Sequence, residues 1–254
     1  MLHVVFEAIV LGIVQGLTEF IPVSSSGHLL LLGELLTTSI SSFYFDVVVN
    51  IGTLSALIVY FRKRLVEIAR NWSIIGLLSL TTVPAVIIGV ILPDAVLDSI
   101  RSPQVVLVNM FVVSLLMLAA DRWKTTDQRL PSNLQALAIG VAQVLAFIPG
   151  TSRSGITILA GRATGLSYTN AAEYSFIASI PIIGGAVIKT LLDGSGDTAA
   201  QPWVVYAVGI ISAGVAGWIA IAFVLKLLQQ SGFKYFAYYR IIFVIMVSLL
   251  LLID

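Results

Sequence analysis

The sequence predicts an all-α integral membrane protein: six transmembrane helices plus two re-entrant helix-loop-helix hairpins, arranged as an inverted-topology repeat. Three observations carry that prediction. The 254-residue chain is 58% hydrophobic and only 11% charged, with a mean hydropathy of +1.02, which is far too apolar for an ordinary soluble domain. Two apolar segments are interrupted at their centres by polar residues, and these two segments resemble each other. The charged loops divide into a basic set and an acidic set.

The opening MLHVVFEAIV lacks a basic n-region and a small-residue cleavage site, so it is not read as a removable signal peptide. A spanning helix needs about 20 apolar residues to cross a hydrocarbon core of roughly 30 Å. The stretches 46–62, 72–92, 104–122, 169–192, 203–228 and 238–253 approach that length. Residues 4–36 and 133–164 differ, because Pro22 with Ser24, Ser25 and Ser26 breaks the first, and Pro149, Gly150 and a Ser/Thr/Arg cluster break the second. Each reads as two half-helices around a polar break. Irregular backbone at membrane depth persists only where it is buried in protein or lines a wet cavity, so both breaks should face inward.

LGIVQGLTEFIPVSSSGH from Leu11 and IGVAQVLAFIPGTSRSG from Ile139 share a Gly-x-x-Gln, a Phe-Ile-Pro and a serine-rich break, once a one-residue gap is allowed. The expectation is one membrane domain, 1–254, made of repeat one (1–128) and repeat two (129–254). Each repeat holds one hairpin and three spans. An odd number of crossings turns the second copy upside down and puts the binding site at the midplane.

Loop charge gives the orientation, because cytoplasmic loops are enriched in Lys and Arg. If both hairpins return to the side they start from, Arg62, Lys63, Arg64, Arg70, Arg122, Lys124, Arg129, Lys226 and Lys234 fall on one side. Asp94, Asp98, Arg101, Asp193 and Asp197 fall on the other. The basic side is then the cytoplasm, and the first hairpin enters from outside. The formal net charge of +1 offers no nucleic-acid footprint. The absence of cysteine excludes disulfides and thiolate metal sites.

Gln15 and Glu19 lie four residues apart and share a helix face. Ser24, Ser25 and Ser26 open the next half-helix, whose free N–H groups favour an anion, and His28 follows in its first turn. In the second hairpin Ser152, Arg153 and Ser154 open a helix, with Thr157 on the face of Arg153. Two helix starts, an arginine and a ring of hydroxyls suit a phosphate. Serines at helix starts also serve as plain caps. His3, Glu34 and Glu67 are read as bystanders, and Asp121, Glu173 and Arg240 as structural ion pairs or supports behind the site. A buried Arg153 needs a compensating anion, and Glu19 is the candidate.

QGLTEFIPVSSSGH together with PGTSRSGITI closely resembles the undecaprenyl-diphosphatase family of the bacitracin-resistance type. FDVVVNIGTLSALIVYF, AAEYSFIASIPIIGGA and FAYYRIIF extend the likeness over nearly the whole chain. The resemblance implies a plasma-membrane phosphatase, acting mainly at the outer face, that removes the terminal phosphate of a polyprenyl diphosphate lipid. It also implies a divalent cation, Mg2+ or Ca2+. Carried over residue by residue, the site is Glu19, Ser25, His28, Ser152, Arg153 and Thr157. Gln15 stands where many members have Glu, so Glu19 must carry more of any metal binding. The nucleophile is read as Ser25 assisted by His28, with a phosphohistidine or a directly activated water as alternatives. A flippase or a lipid-sequestering protein is the rival class, and neither needs a hydroxyl nucleophile. The oligomeric state stays open, a homodimer included.

Overall fold

A computed structural model describes residues 1–25, 27–29, 40, 43–93, 96, 99–126, 128–192 and 201–252. Ser26, Glu34, Asp94, Asp98, Asp193 and Asp197 lie outside the described residues. The helices in chain order are α1 (Leu2–Phe20), α2 (Phe43–Val48), α3 (Asn50–Tyr60), α4 (Arg62–Ala69), α5 (Trp72–Ile91) and α6 (Pro103–Ala120). They continue with α7 (Asn133–Val144), α8 (Arg153–Ala163), α9 (Tyr168–Leu192), α10 (Trp203–Ser231) and α11 (Lys234–Leu250). A 3-10 turn, Leu145–Phe147, extends α7.

Helix starts follow local chemistry. The Asn71 side chain accepts from the Ser73 and Ile74 amides and opens α5. Ser102 caps α6, with Pro103 in the first turn where its missing N–H costs nothing. Ser132 and Gln135 form a reciprocal capping box on α7. Between α10 and α11 the chain turns on Gly232, whose positive φ of 59° suits a residue without Cβ.

Among the described residues five helices are long and apolar enough to cross a membrane: α1, α5, α6, α9 and α10. A sixth is obtained if Tyr44–Tyr60 and Arg62–Ala69, bent by 76° at Phe61, count as one span. The chain carries large apolar side chains outward, among them Val90, Ile91, Ile211, Ile242 and Leu249. A helix that is apolar on every side is at home in lipid or in a core. Some bounds differ from expectation. α1, expected as a half-helix, runs 19 residues, about 28 Å at 1.5 Å per residue. The final helix runs Lys234–Leu250 against an expected 238–253, shifted toward the start of the chain and not shortened.

Small residues set the packing. Gly12 meets the backbone of Gly209, and Gly16 meets Ala213 and Gly217, so α1 runs parallel to α10 at close approach. Gly140 meets Leu80 and Thr81, and Phe147 lies against Gly89, so α7 runs parallel to α5. The first helix of each half therefore lies along a long helix of the other half. α7 and α8 form a hairpin whose outer ends meet, with Gln135 Nε2 donating to Thr164 O at 2.7 Å.

The basic loops gather at one end. Arg64 and Arg129 line one small cleft together with Glu173. Asp121 accepts from the Phe233 amide at 3.1 Å and from the Tyr168 hydroxyl. Arg162, at the close of α8, donates to Trp123 O at 2.7 Å.

Candidate active site

Both helix breaks follow Phe-Ile-Pro and end on a serine in the left-handed region, Ser24 at φ 77° and Ser152 at φ 72°. They are the only non-glycine residues with positive φ among the described residues, and such a conformation costs on the order of 1–3 kcal/mol each. Each serine caps the helix that follows. Ser24 Oγ accepts from the Gly27 amide at 3.3 Å, and Ser152 Oγ from the Gly155 amide at 3.1 Å. The break carbonyls need donors away from water. Arg240 on α11, fully buried, supplies several of them: it donates to Pro22 O (3.2 Å), Gly150 O (2.8 Å) and Thr151 O (3.4 Å), and also to Met110 O and Ser114 Oγ. Asn109 Nδ2 donates to Ile148 O, Pro149 O and Thr151 Oγ1. Of the two expected readings of Arg240, an ion pair or a support behind the site, the structure shows the second. Its hydrogen-bond partners are carbonyls and a hydroxyl, because two unwound turns offer more unmet acceptors than one carboxylate could.

Glu19, at the end of α1, is the hub. Its Oε1 accepts from Arg153 Nη2 at 2.7 Å, while its Oε2 accepts from Ser25 Oγ at 2.9 Å and from Gln15 Nε2 at 3.0 Å. Glu19 and Arg153 side chains are each 12% exposed. A charge-assisted pair this sheltered answers the cost of burying an arginine. Gln15 Nε2 also donates to Asn50 Oδ1 at 2.8 Å, and Thr53 Oγ1 donates to the same oxygen at 3.0 Å.

The remaining predicted residues lie around this hub. Thr157 Oγ1 shares a hydrogen with Ser175 Oγ at 2.5 Å and contacts Arg153 O at 2.8 Å, which anchors the first turn of α8. Ser152 and Ser154 hydroxyls stand 3.3 Å apart and are buried. His28 is separate: Nδ1 meets Ser24 O and Nε2 meets the Tyr239 hydroxyl, both at 2.8 Å, and the ring stacks on Tyr239 and Phe243. Its two nitrogens are engaged, and the group against the Ser25 hydroxyl is the Glu19 carboxylate.

Glu19, Asn50, Gln143 and Arg153 line a cavity of about 220 Å³ whose other walls are apolar, including Val47, Phe147, Ile182, Ile183 and Val187. Arg153 Nη1 and Gln143 Oε1 have no hydrogen-bond partner among the described residues. The site therefore holds a free donor and a free acceptor beside a carboxylate and a serine. Asn50, Gln143 and Asn109 escaped sequence reasoning. Gln143 had a signal, since it is the repeat counterpart of Gln15.

The fold and the site define a helical membrane protein with a cavity, lined by a carboxylate and a guanidinium, where two helix breaks meet. Residues 8–246 match the model of the family described as bacitracin resistance protein BacA, and the chain belongs to that family. A protein of Thermodesulfovibrio yellowstonii named undecaprenyl-diphosphatase is 37% identical over 248 residues, covering 96% of each chain. A protein of the same name from Rubrobacter xylanophilus is 39% identical over 269 residues, covering 97% of this chain and 98% of the relative. One from Gemmatimonas aurantiaca is 39% identical over 259 residues, with 96% of each covered.

Proposed function

We propose that this protein is an undecaprenyl-diphosphatase. It hydrolyses the lipid diphosphate to the monophosphate and inorganic phosphate, and so returns the lipid carrier to envelope glycan synthesis and confers bacitracin resistance. The observation that carries this reading is the Glu19 carboxylate bonded at once to Ser25 Oγ and Arg153 Nη2, beside a mostly apolar cavity. A nucleophile, its proton acceptor and an anion-binding cation are in contact, next to a wall that suits a prenyl chain.

In the proposed reaction the terminal phosphate takes up the free Arg153 Nη1, along with Nη2 as Glu19 turns to its new task. Ser25 Oγ attacks phosphorus in line and passes its proton to Glu19. The bond from phosphorus to the bridging oxygen breaks, and polyprenyl monophosphate leaves. Water then attacks the phosphoserine, the bond from Ser25 Oγ to phosphorus breaks, Glu19 returns its proton to Oγ, and inorganic phosphate departs with the protons of the water. General-base help of this kind contributes about 10²–10⁴-fold. The packing of His28 against Tyr239 and Phe243 favours a role in holding the first break.

A divalent cation, Mg2+ or Ca2+, fits as an ion carried in on the diphosphate. No group of three or more His, Cys, Asp or Glu could hold a metal among the described residues, yet Glu19 and the free, buried Gln143 Oε1 line the cavity together. When bound, the cation would neutralise charge on the phosphate oxygens.

The topology we propose is six crossings with two re-entrant hairpins in inverted repeats, with the site open to the outer face. The matched serine caps, the exchanged packing of α1 and α7, and the closed ends of the α7–α8 hairpin support it. The clustering of Arg64, Arg129 and the Phe233 turn at one end supports a cytoplasmic assignment for that end. The test is phosphate release from polyprenyl diphosphate by purified protein in detergent, with and without a chelator. Wild type should release phosphate and Arg153→Ala should lose it by about 10² or more. Well-folded wild type that binds the lipid and releases nothing refutes the reading.

A further inference from the structure

Gln143 occupies in the second half the place of Gln15 in the first, but uses its amide differently. Its Nε2 donates to the backbone carbonyl of Thr81 at 3.0 Å. That partner fixes the amide's orientation, because a carbonyl only accepts, and turning the amide over would set oxygen against oxygen. The atom left over is Oε1. It has no partner among the described residues, although the side chain is only 2% exposed and borders the cavity shared by Glu19, Asn50 and Arg153.

A buried acceptor without a partner is costly and calls for an explanation. A water in the resting cavity, another proton donor or a cation can meet it. Once in the cavity, the proposed lipid itself supplies none of these, since its phosphate oxygens are anionic acceptors and its prenyl chain carries no donor. What accompanies a diphosphate and seeks neutral and anionic oxygens is a hydrated divalent cation. Amide carbonyls are ordinary ligands for Ca2+, and Mg2+ characteristically combines one or two carboxylates with waters and phosphate oxygens. We propose that Gln143 Oε1, together with Glu19, receives the divalent cation that arrives with the diphosphate, either on the ion or on one of its waters. This rests on the phosphatase reading for the identity of the anion, and the first half of the chain then gives the ion a carboxylate while the second gives it an amide oxygen.

The experiment uses the full-length protein in detergent, Mn2+ as probe and an unreactive methylene-bridged prenyl diphosphate analogue, with free Mn2+ counted by electron paramagnetic resonance. Gln143→Leu should weaken Mn2+ uptake about tenfold while analogue affinity without metal and the melting temperature change little. Gln143→His keeps an N–H for Thr81 O and turns a ring nitrogen to the cavity. In that variant Zn2+ should displace Mn2+ about tenfold more readily than in wild type, because imidazole favours the later transition metals. Unchanged Mn2+ uptake in Gln143→Leu overturns the proposal, as does a wild type that takes up no Mn2+ with the analogue. Should Gln143→Leu fail to fold, an unchanged metal preference in Gln143→His overturns it instead. A wild type that binds Mn2+ through Gln143 but releases no phosphate would keep the cation site and remove the reaction.

Discussion

Arg153 and Glu19 are 134 residues apart in sequence, and their side chains meet at 2.7 Å. Each sits at a helix break, one in each half of the chain, and each shields the other from the cost of a lone buried charge. In the proposed reaction the same contact holds the site together before substrate arrives and is partly surrendered when phosphate takes the guanidinium.

Glu19→Gln tests that exchange. The amide cannot take the Ser25 proton, so turnover should fall by about 10²-fold or more, in line with the loss of a general base. In the absence of divalent metal, Arg153, freed from its carboxylate, should bind an unreactive diphosphate analogue at least as well as before. Turnover within tenfold of wild type would remove Glu19 from the chemistry.

Ser25→Ala should abolish phosphate release and leave analogue binding within a few-fold, since the hydroxyl's hydrogen bond is worth only about 1 kcal/mol in the resting site. Acid-quenched wild type should yield a Ser25 phosphopeptide by mass spectrometry. Substantial release from the alanine variant would instead favour direct attack by water.

His28→Asn separates chemistry from support. Because the imidazole bonds Ser24 O and the Tyr239 hydroxyl, its loss should lower the melting temperature while the turnover number of folded protein stays within about tenfold. Tyr239→Phe should do the same more mildly, by about 0.5–1.5 kcal/mol. A dead His28→Asn with wild-type stability would return the imidazole to the reaction.

Arg240→Lys and Arg240→Met should both destabilise by about 3 kcal/mol or more, because bonds to a charged group are worth roughly 1.5–3 kcal/mol each and buried carbonyls would be stranded. Lysine does not rescue, as one ammonium cannot reach both breaks at once. Thermal unfolding in detergent reads this directly. A lysine variant as stable as wild type would show that the breaks hold without the guanidinium.

What the sequence made legible was local. Asn71, Ser102 and Ser132 stand where helix starts were expected, and the Phe-Ile-Pro breaks fall at 20–22 and 147–149. Glu19 as the anion facing Arg153 was also within reach, because a buried arginine demands one. The partners of His28 and Arg240 were not, since Tyr239 lies 211 residues from His28 and Pro22 lies 218 residues from Arg240. Gln143 was visible as a repeat position, but not as a free acceptor, because Thr81 reaches it only through the packing of α5 on α7. The bend at Phe61 has no proline or glycine to announce it.

The assembly of the site from distant parts has a bearing on biosynthesis. The serine and its carboxylate emerge from the ribosome within the first 25 residues, the arginine only at position 153, and the residue that ties both breaks together at 240. On the proposed reaction, a nascent chain halted before position 153 carries the nucleophile without its anion-binding arginine, and one halted before its last helix still lacks the residue that ties the breaks together. Truncated or stalled products should therefore release no phosphate from the lipid diphosphate, whichever of these two parts they lack.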